Sequence, residues 1–338
     1  MHAAEVNPFM SDAKVFERIG VIGAGAWGTA LANVAARAGR ETILWARDPV
    51  HAQEMARERA NARRLPGVAL HERVRPTSRM EDLAQADAIL LVTPAQSLRA
   101  VAQAFAPVLP TQAPIAICAK GVERGTHLLM GETLAQAAPG RIVAALSGPS
   151  FAHDVAAGLP TAVTLACEDE AVARVFCASL AAPGFRLYHT TDLRGVEIGG
   201  AAKNVLAIAC GVAAGRGLGA SAQAALVARG FAELRRFGRA MGAREETLMG
   251  LSGLGDLVLT CGSLQSRNFA LGHALGRGEP APGALAEGAF TAAALVELAR
   301  ARGVDMPICA AVDAILADRM SVSDAVEALL ARPLKSEV

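Results

Sequence analysis

Lysine is scarce in this chain, and its placement bears on chemistry. Of 33 basic residues only four are lysine, at Lys14, Lys120, Lys203 and Lys335; the other 29 are arginine. Lys14 and Lys335 lie in the termini, where either base serves. Lys203 lies inside GVEIGGAAKNVLAIACGVAAG (195–215), a run of small and apolar residues. A buried ammonium gives up its proton far more readily than a guanidinium, whose pKa stays above about 12. Lowering a lysine from about 10.4 to about 7.5 costs roughly 4 kcal/mol, at about 1.36 per unit. Apolar surroundings and a second ammonium can supply that cost. Lys203 is therefore read as a group that donates or accepts a proton. Lys120, closing the run PIAICAK (114–120), is read as a second cation of the same cleft. The plain alternative for Lys203 is a side chain that snorkels to the surface. Asn204 either orients the lysine through its amide or caps local backbone.

A second constellation lies near the N-terminus. RIGVIGAGAWGTALANVAARAG places Gly23, Gly25 and Gly28 as G-x-G-x-x-G, after an apolar run and at the head of an apolar helical stretch. That context is the one a dinucleotide turn needs. Gly23 allows the tight turn, Gly25 lets backbone approach a pyrophosphate, and Gly28 permits close helix–strand packing. The helix start offers free N–H groups to the phosphates. Trp27 packs either on the pyrophosphate or nicotinamide, or on the protein. The next strand ends LWARD, so Arg47 precedes Asp48. A guanidinium there suits the 2′-phosphate of NADP, which predicts an NADP(H) preference with NAD(H) as the alternative. Read plainly, Arg47 is a solvated arginine, and Asp48 caps a helix opening at Pro49.

Groups placed this way need a frame. Short apolar runs at 18–23, 41–46, 87–93, 114–120, 141–147 and 161–167 alternate with helical stretches. Runs apolar on both faces predict parallel strands covered by helices, a doubly wound α/β sheet. After about Thr190 the strand-like runs stop and long Ala- and Leu-rich helical patterns follow, broken at GLG (253–255) and RGEPAPG (277–283). The expected organisation is a flexible leader (1–17), a Rossmann-type domain (18–190) and an all-helical domain (191–338). Ser321 and Asp324 have the spacing of a capping box.

Bulk properties exclude several classes. The 338 residues are 52% hydrophobic and 19% charged, with net charge +1. This argues for a packed globular protein, and no basic excess points to nucleic acid or an anionic membrane. No uninterrupted apolar run reaches the length of a membrane span. The leader does not read as a signal peptide, and Met10 is an alternative start. The six cysteines form no C-x-x-C pair and suit buried thiols in a reducing cytoplasm. The seven histidines have no metal-ligand spacing, so no metal is expected. His153 and His189 have no motif neighbour and read as structural or surface residues.

Several stretches, in order and spacing, resemble the bacterial NAD(P)-dependent sn-glycerol-3-phosphate dehydrogenases. They are GAGAWGTALA (23–32), AKGVE (119–123), LSGPSFAHDVAAGLPTA (146–162), GVEIGGAAKNVLAIACG (195–211), GLGDLVLTC (253–261), QSRN (265–268) and LAEG (285–288). The resemblance spans about residues 18 to 318. It implies a Rossmann domain followed by a helical substrate domain. It also implies interconversion of dihydroxyacetone phosphate and glycerol 3-phosphate for phospholipid synthesis. By this resemblance Lys203 is the catalytic acid/base and also touches substrate, and Lys120 touches substrate and cofactor. Gly148, Ser150 and Ala152 form the substrate and cofactor turn, with Ser150 where many members have Thr. Asp256 is the active-site aspartate. Ser266, Arg267 and Asn268 bind substrate, Arg267 also the cofactor, and Leu285 and Glu287 are late cofactor contacts. Ala26 stands where many members have Ser, which removes one side-chain hydrogen bond to the cofactor. Locally, Arg267 and Asn268 suit a phosphate at a helix N-terminus that Ser266 begins, or else Ser266 is a helix cap beside a solvated arginine. Asp256 reads locally as a lysine partner or a helix cap, and Glu287 as an exposed glutamate beyond a loop. A β-hydroxyacid or 6-phosphogluconate type of dehydrogenase is the alternative enzyme, since those also carry a helix-borne lysine. A dinucleotide-sensing module is the non-enzyme alternative. Ala-rich helices able to pair between subunits suggest a homodimer.

Overall fold

The computed structural model describes residues 14–332 except Ala284. Eight strands form one sheet: β1 (Arg18–Ile22), β2 (Glu41–Trp45), β3 (Val74–Thr77), β4 (Ala88–Leu91), β5 (Ile115–Ile117), β6 (Val143–Ser147), β7 (Thr161–Cys167) and β8 (Phe185–Thr190). Six helices belong to this half: α1 (Ala26–Arg37), α2 (Pro49–Glu58), α3 (Leu98–Phe105), α4 (Met130–Ala137), α5 (Ala152–Ala156) and α6 (Glu170–Leu180). The spatial order is β3-β2-β1-β4-β5-β6-β7-β8. Side chains alternate between two cores. Ile19, Val21 and Leu90 join one, whereas Ile22, Ile89 and Leu91 join the other. Both faces are therefore covered, which is why these strands read as apolar throughout. The order reverses between β1 and β4, leaving the crevice at their C-terminal ends where doubly wound sheets bind ligands.

Two features depart from the sequence reading. β7 runs antiparallel to β6, although its apolar run reads as a parallel strand. The link between them carries only the five-residue α5, which packs against α1 and is too short to return the chain along the sheet. Two further edge strands were not foreseen. β3 is VRPT, and its proline is tolerated only because the strand lies at the sheet edge. β8 alternates buried Phe185 with exposed Arg186 and Tyr188, a half-covered edge rather than an apolar run. The expected leader lies mostly outside the described residues, as does Met10. Its last part is held rather than loose. Phe16 meets the Phe176 ring edge-on at 5.0 Å, and its N–H donates to Ser179 Oγ.

From Leu193 on, the described residues form helices: α7 (Leu193–Gly215), α8 (Gly219–Ala240), α9 (Glu245–Met249), α10 (Asp256–Cys261), α11 (Arg267–Arg277), α12 (Glu287–Ala301), α13 (Pro307–Leu316) and α14 (Val322–Leu330). Ser321 caps α14 by accepting from the Asp324 N–H. GLG is not a break. Leu251–Gly255 is a π-helical turn that runs directly into α10. α7 is the axis of this half. Among the described residues it is the one helix long and apolar enough to cross a membrane, yet 83% of its most apolar window is buried in protein. Its closest neighbour is α11, against which backbone meets backbone. A Cβ on Gly211 would lie 2.1 Å from the Phe269 carbonyl, and one on Gly272 would lie 2.0 Å from that of Ile208. Glycine four residues on in each helix, Gly215 and Gly276, repeats the notch.

Candidate active site

Lys203 points from α7 into the space under α10 and is only 7% exposed. Its Nζ donates to Asp256 Oδ1 at 2.7 Å and to Thr260 Oγ1 at 2.8 Å. Lys120 follows β5 and reaches the same carboxylate from the sheet side, donating to Asp256 Oδ2 at 2.6 Å, with the Gly148 carbonyl at 3.5 Å. Asp256, 1% exposed, thus holds one ammonium on each oxygen. The π turn explains its position. Gly199 of α7 has room only for hydrogen against the Ser252 carbonyl, where a Cβ would come within 2.6 Å. That close approach, one turn before Lys203, sets the first residue of α10 beside the ammonium.

The electrostatics follow from burial and charge. Burial pushes the Lys203 pKa down, to about 8, helped by Lys120 and opposed by Asp256. Burial alone would raise Asp256, but the two lysines together hold it below the usual carboxylate range. Two ammoniums against one carboxylate leave a net positive charge in a shielded cleft. Such a site attracts an anion and keeps a proton that can leave near neutral pH.

The glycine turn has the shape a pyrophosphate requires. Gly23 has φ +115°, and a Cβ there would lie 2.5 Å from the Val92 carbonyl. On Gly28 a Cβ would strike the Gly23 carbonyl at 1.9 Å, whereas Gly25 faces open space. No side chain caps α1 among the described residues, so its first N–H groups stay available. Across the crevice Thr93 Oγ1 is buried without a partner. An open cradle, free amides and an orphan hydroxyl fit a dinucleotide. Ala26 and Trp27 are half-buried in this turn, and Trp27 packs against the α1 side of the sheet, on the protein. Arg47 is exposed at the end of β2. Asp48 caps α2 through the Val50 N–H and pairs with Arg63, so its carboxylate is already engaged.

The remaining expected residues divide. Gly148, at φ +151°, crowds Val163, and the Ser150 hydroxyl donates back to the Gly148 carbonyl at 3.0 Å. Ala152 opens α5 beside that turn, half-buried. Ser266 caps α11 by accepting from the Phe269 N–H, and Arg267 is exposed at the helix start. Asn268 is a strut rather than an outward donor. Its amide donates to Asn204 Oδ1, and its oxygen accepts from the Gly288 N–H. Asn204 is accordingly bound to Asn268 and not to Lys203. Leu285 is exposed. Glu287, expected in solvent, is half-buried and accepts from the Ala95 N–H at 3.1 Å, fastening α12 to the loop after β4; burial raises its pKa. His153 and His189 are exposed, and neither is a hydrogen-bond partner of Lys120 or Lys203. Thr260 was missed, although its place four residues after Asp256 puts both on one face of a helix.

Residues 18–173 match the family described as NAD-dependent glycerol-3-phosphate dehydrogenase N-terminus, and residues 192–327 match the corresponding C-terminus. The chain is 64% identical to glycerol-3-phosphate dehydrogenase (NAD(P)+) of Azorhizobium caulinodans, covering 95% of this chain and 99% of that one. It is 62% identical to the enzyme of the same name from a Bradyrhizobium species, with the same coverage. The crystal structure of glycerol-3-phosphate dehydrogenase from Coxiella burnetii superimposes with a TM-score of 0.89 at 38% identity, over 94% of this chain and 99% of that one.

Proposed function

The chain belongs to the NAD-dependent glycerol-3-phosphate dehydrogenase family, and from that premise we propose how its own residues divide the reaction. The protein interconverts dihydroxyacetone phosphate and sn-glycerol 3-phosphate with NADP(H) or NAD(H). The observation that carries the division is the single buried carboxylate shared by Lys120 and Lys203. Lys203 is the general acid for reduction. It gives a proton to the carbonyl oxygen as negative charge develops there, and takes it back in the oxidation. Asp256 and Thr260 aim the ammonium, and Lys120 stabilises the developing alkoxide. Arg267 and the N-terminal amides of α11, with Ser266 at its cap, hold the phosphate. Gly148, Ser150 and Ala152 line the cleft between substrate and cofactor, and Asn268 keeps α7, α11 and α12 in register behind it. The cofactor, when bound on Gly23, Gly25, Ala26, Trp27 and Gly28 and flanked by Leu285 and Glu287, supplies the hydride.

The pH dependence tests the assignment of Lys203. Reduction needs the ammonium, so its kcat falls as pH rises through about 8, the value burial gives this lysine. Oxidation needs the free amine, so its kcat rises over the same range. Steady-state rates in both directions between pH 6 and 10 decide the matter; parallel profiles would remove Lys203 from the proton transfer.

We further infer a preference for NADP(H). It is supported by the exposed guanidinium of Arg47 and by the engagement of Asp48, the acid that follows it, with the Val50 N–H and Arg63. A charge-assisted hydrogen bond contributes about 1.5–3 kcal/mol, so Arg47→Ala lowers kcat/KM for NADPH about tenfold or more. The value for NADH then moves less than about threefold, since that cofactor lacks the charged partner. Equal losses with both cofactors speak against the assignment.

The division into a cofactor domain (18–190) and a substrate domain (191–338) is supported by the sheet ending at Thr190 and α7 starting at Leu193. A cytoplasmic setting is supported by six unpaired cysteines, and the product suits phospholipid synthesis. A homodimer is supported by the exposed apolar side chains Met249, Val258 and Leu264, Val258 sharing a groove with Ala224 and Val227 of α8.

A further inference from the structure

Beneath the glycine turn lies a chain of buried polar side chains, none of them assigned above. Asn61, fully buried, donates from Nδ2 to the Ala24 carbonyl at 3.0 Å and to Thr29 Oγ1 at 2.7 Å. Thr29, equally buried, donates its hydroxyl to the Gly25 carbonyl at 2.9 Å, which also receives the Thr29 N–H. On the far side Asn61 Oδ1 lies 2.9 Å from His51 Nε2. The directions are fixed by counting protons. Both Nδ2 hydrogens are spent on acceptors, so Oδ1 faces the histidine, and Nε2 must carry its proton. Asn61 is itself anchored, because its own carbonyl accepts from the Arg64 and Leu65 N–H groups.

The consequence lies in the peptide planes. In a trans peptide the C=O and the following N–H point in opposite directions. Drawing the Ala24 and Gly25 carbonyls inward turns the Gly25 and Ala26 N–H groups outward, over the open face of Gly25. Among the described residues neither N–H has a backbone partner. We propose that His51, Asn61 and Thr29 are positioning residues that hold these two amides as a preformed receptor for the cofactor pyrophosphate. The proposal rests on the reading that this turn takes the dinucleotide.

The test is NADPH and NADH binding by nucleotide fluorescence, with steady-state kinetics, on the full chain and three variants. Thr29→Val removes the hydroxyl at nearly constant volume, Thr29→Ser keeps it, and Asn61→Ala removes the hub. In Thr29→Val and Asn61→Ala, Kd for both cofactors rises about five- to fiftyfold, as expected for losing one or two oriented hydrogen bonds. At saturating cofactor kcat stays within about threefold, and Thr29→Ser binds within about threefold of the parent, because the amides recover their aim. Parent-like Kd in Thr29→Val, whatever its melting temperature, overturns the proposal. So does a loss in kcat with Kd unchanged. Failure of the parent chain to bind either nucleotide overturns instead the reading of the turn on which the proposal rests.

Discussion

In Lys203→Arg, dihydroxyacetone phosphate reduction at pH 7 proceeds at about 10⁻² to 10⁻⁴ of the parent rate, the share a positioned general acid contributes. The charge is kept, so the partnership with Asp256 persists and NADPH affinity changes little. What is lost is a proton that can leave, because the guanidinium stays protonated throughout the working pH range. The rate that remains is also flat across the region near pH 8 where the parent profile bends. Single-turnover kinetics with preloaded cofactor separate this from slow product release. A variant that reduces the ketone at the parent rate makes Lys203 a structural cation and moves the acid elsewhere.

Asp256→Asn acts on stability and rate together. It leaves two ammoniums facing each other in a buried cleft without their shared counter-charge. Breaking a buried pair in this way costs about 3–5 kcal/mol in the acid range where both lysines stay charged, and less once Lys203 gives up its proton. The sign with pH is set by Lys203. Its folded-state pKa is already depressed to about 8, and losing Asp256 depresses it further. From that lowered value up to the unfolded value near 10.4 the unfolded chain binds more protons, so the variant gains stability as pH rises. Its deficit in melting temperature against the parent is therefore largest near pH 6 and narrows by pH 9. Reduction at pH 7 falls, and its pH profile bends at a lower pH than the parent's, since Lys203 without Asp256 gives up its proton more readily. Thermal melts and initial rates across that range measure both effects. A deficit that does not change with pH denies the lysines their electrostatic dependence on Asp256.

Much of this site was legible in the chain, and the reasons differ by residue. Lys203 and Lys120 stand out because arginine fills nearly every other basic position, so the scarce residue marks a need that charge alone does not meet. The glycine turn was legible because Gly23 and Gly28 answer separate steric demands, seen in the Val92 and Gly23 carbonyls that a Cβ would strike, while Gly25 keeps the face over them open. The direction of β7 was not legible. Strand periodicity is the same in either direction, and the length of the intervening link decides it. The partners of Asn268 and Glu287, on α7 and α12 and on the loop after β4, were not legible, since a side chain's partner from a distant element leaves no local trace. Asn61 and Thr29 gave no signal because ordinary polar residues become a network only once α2 and the following loop fold beneath the turn.

The notched packing of α7 against α11 also has a bearing on synthesis. Most of the cover of α7, from α8 and α10 to α13, is encoded after it. On the ribosome this long apolar helix is complete before the elements that shield it exist. A nascent chain halted before α11 leaves the face of α7 that α11 covers open, with its two glycine notches bare, and exposed apolar surfaces of that kind are what chaperones bind. For α7 the last third of the polypeptide behaves as a tethered ligand that arrives late, and the lysine it carries can be desolvated only after α10 has been made.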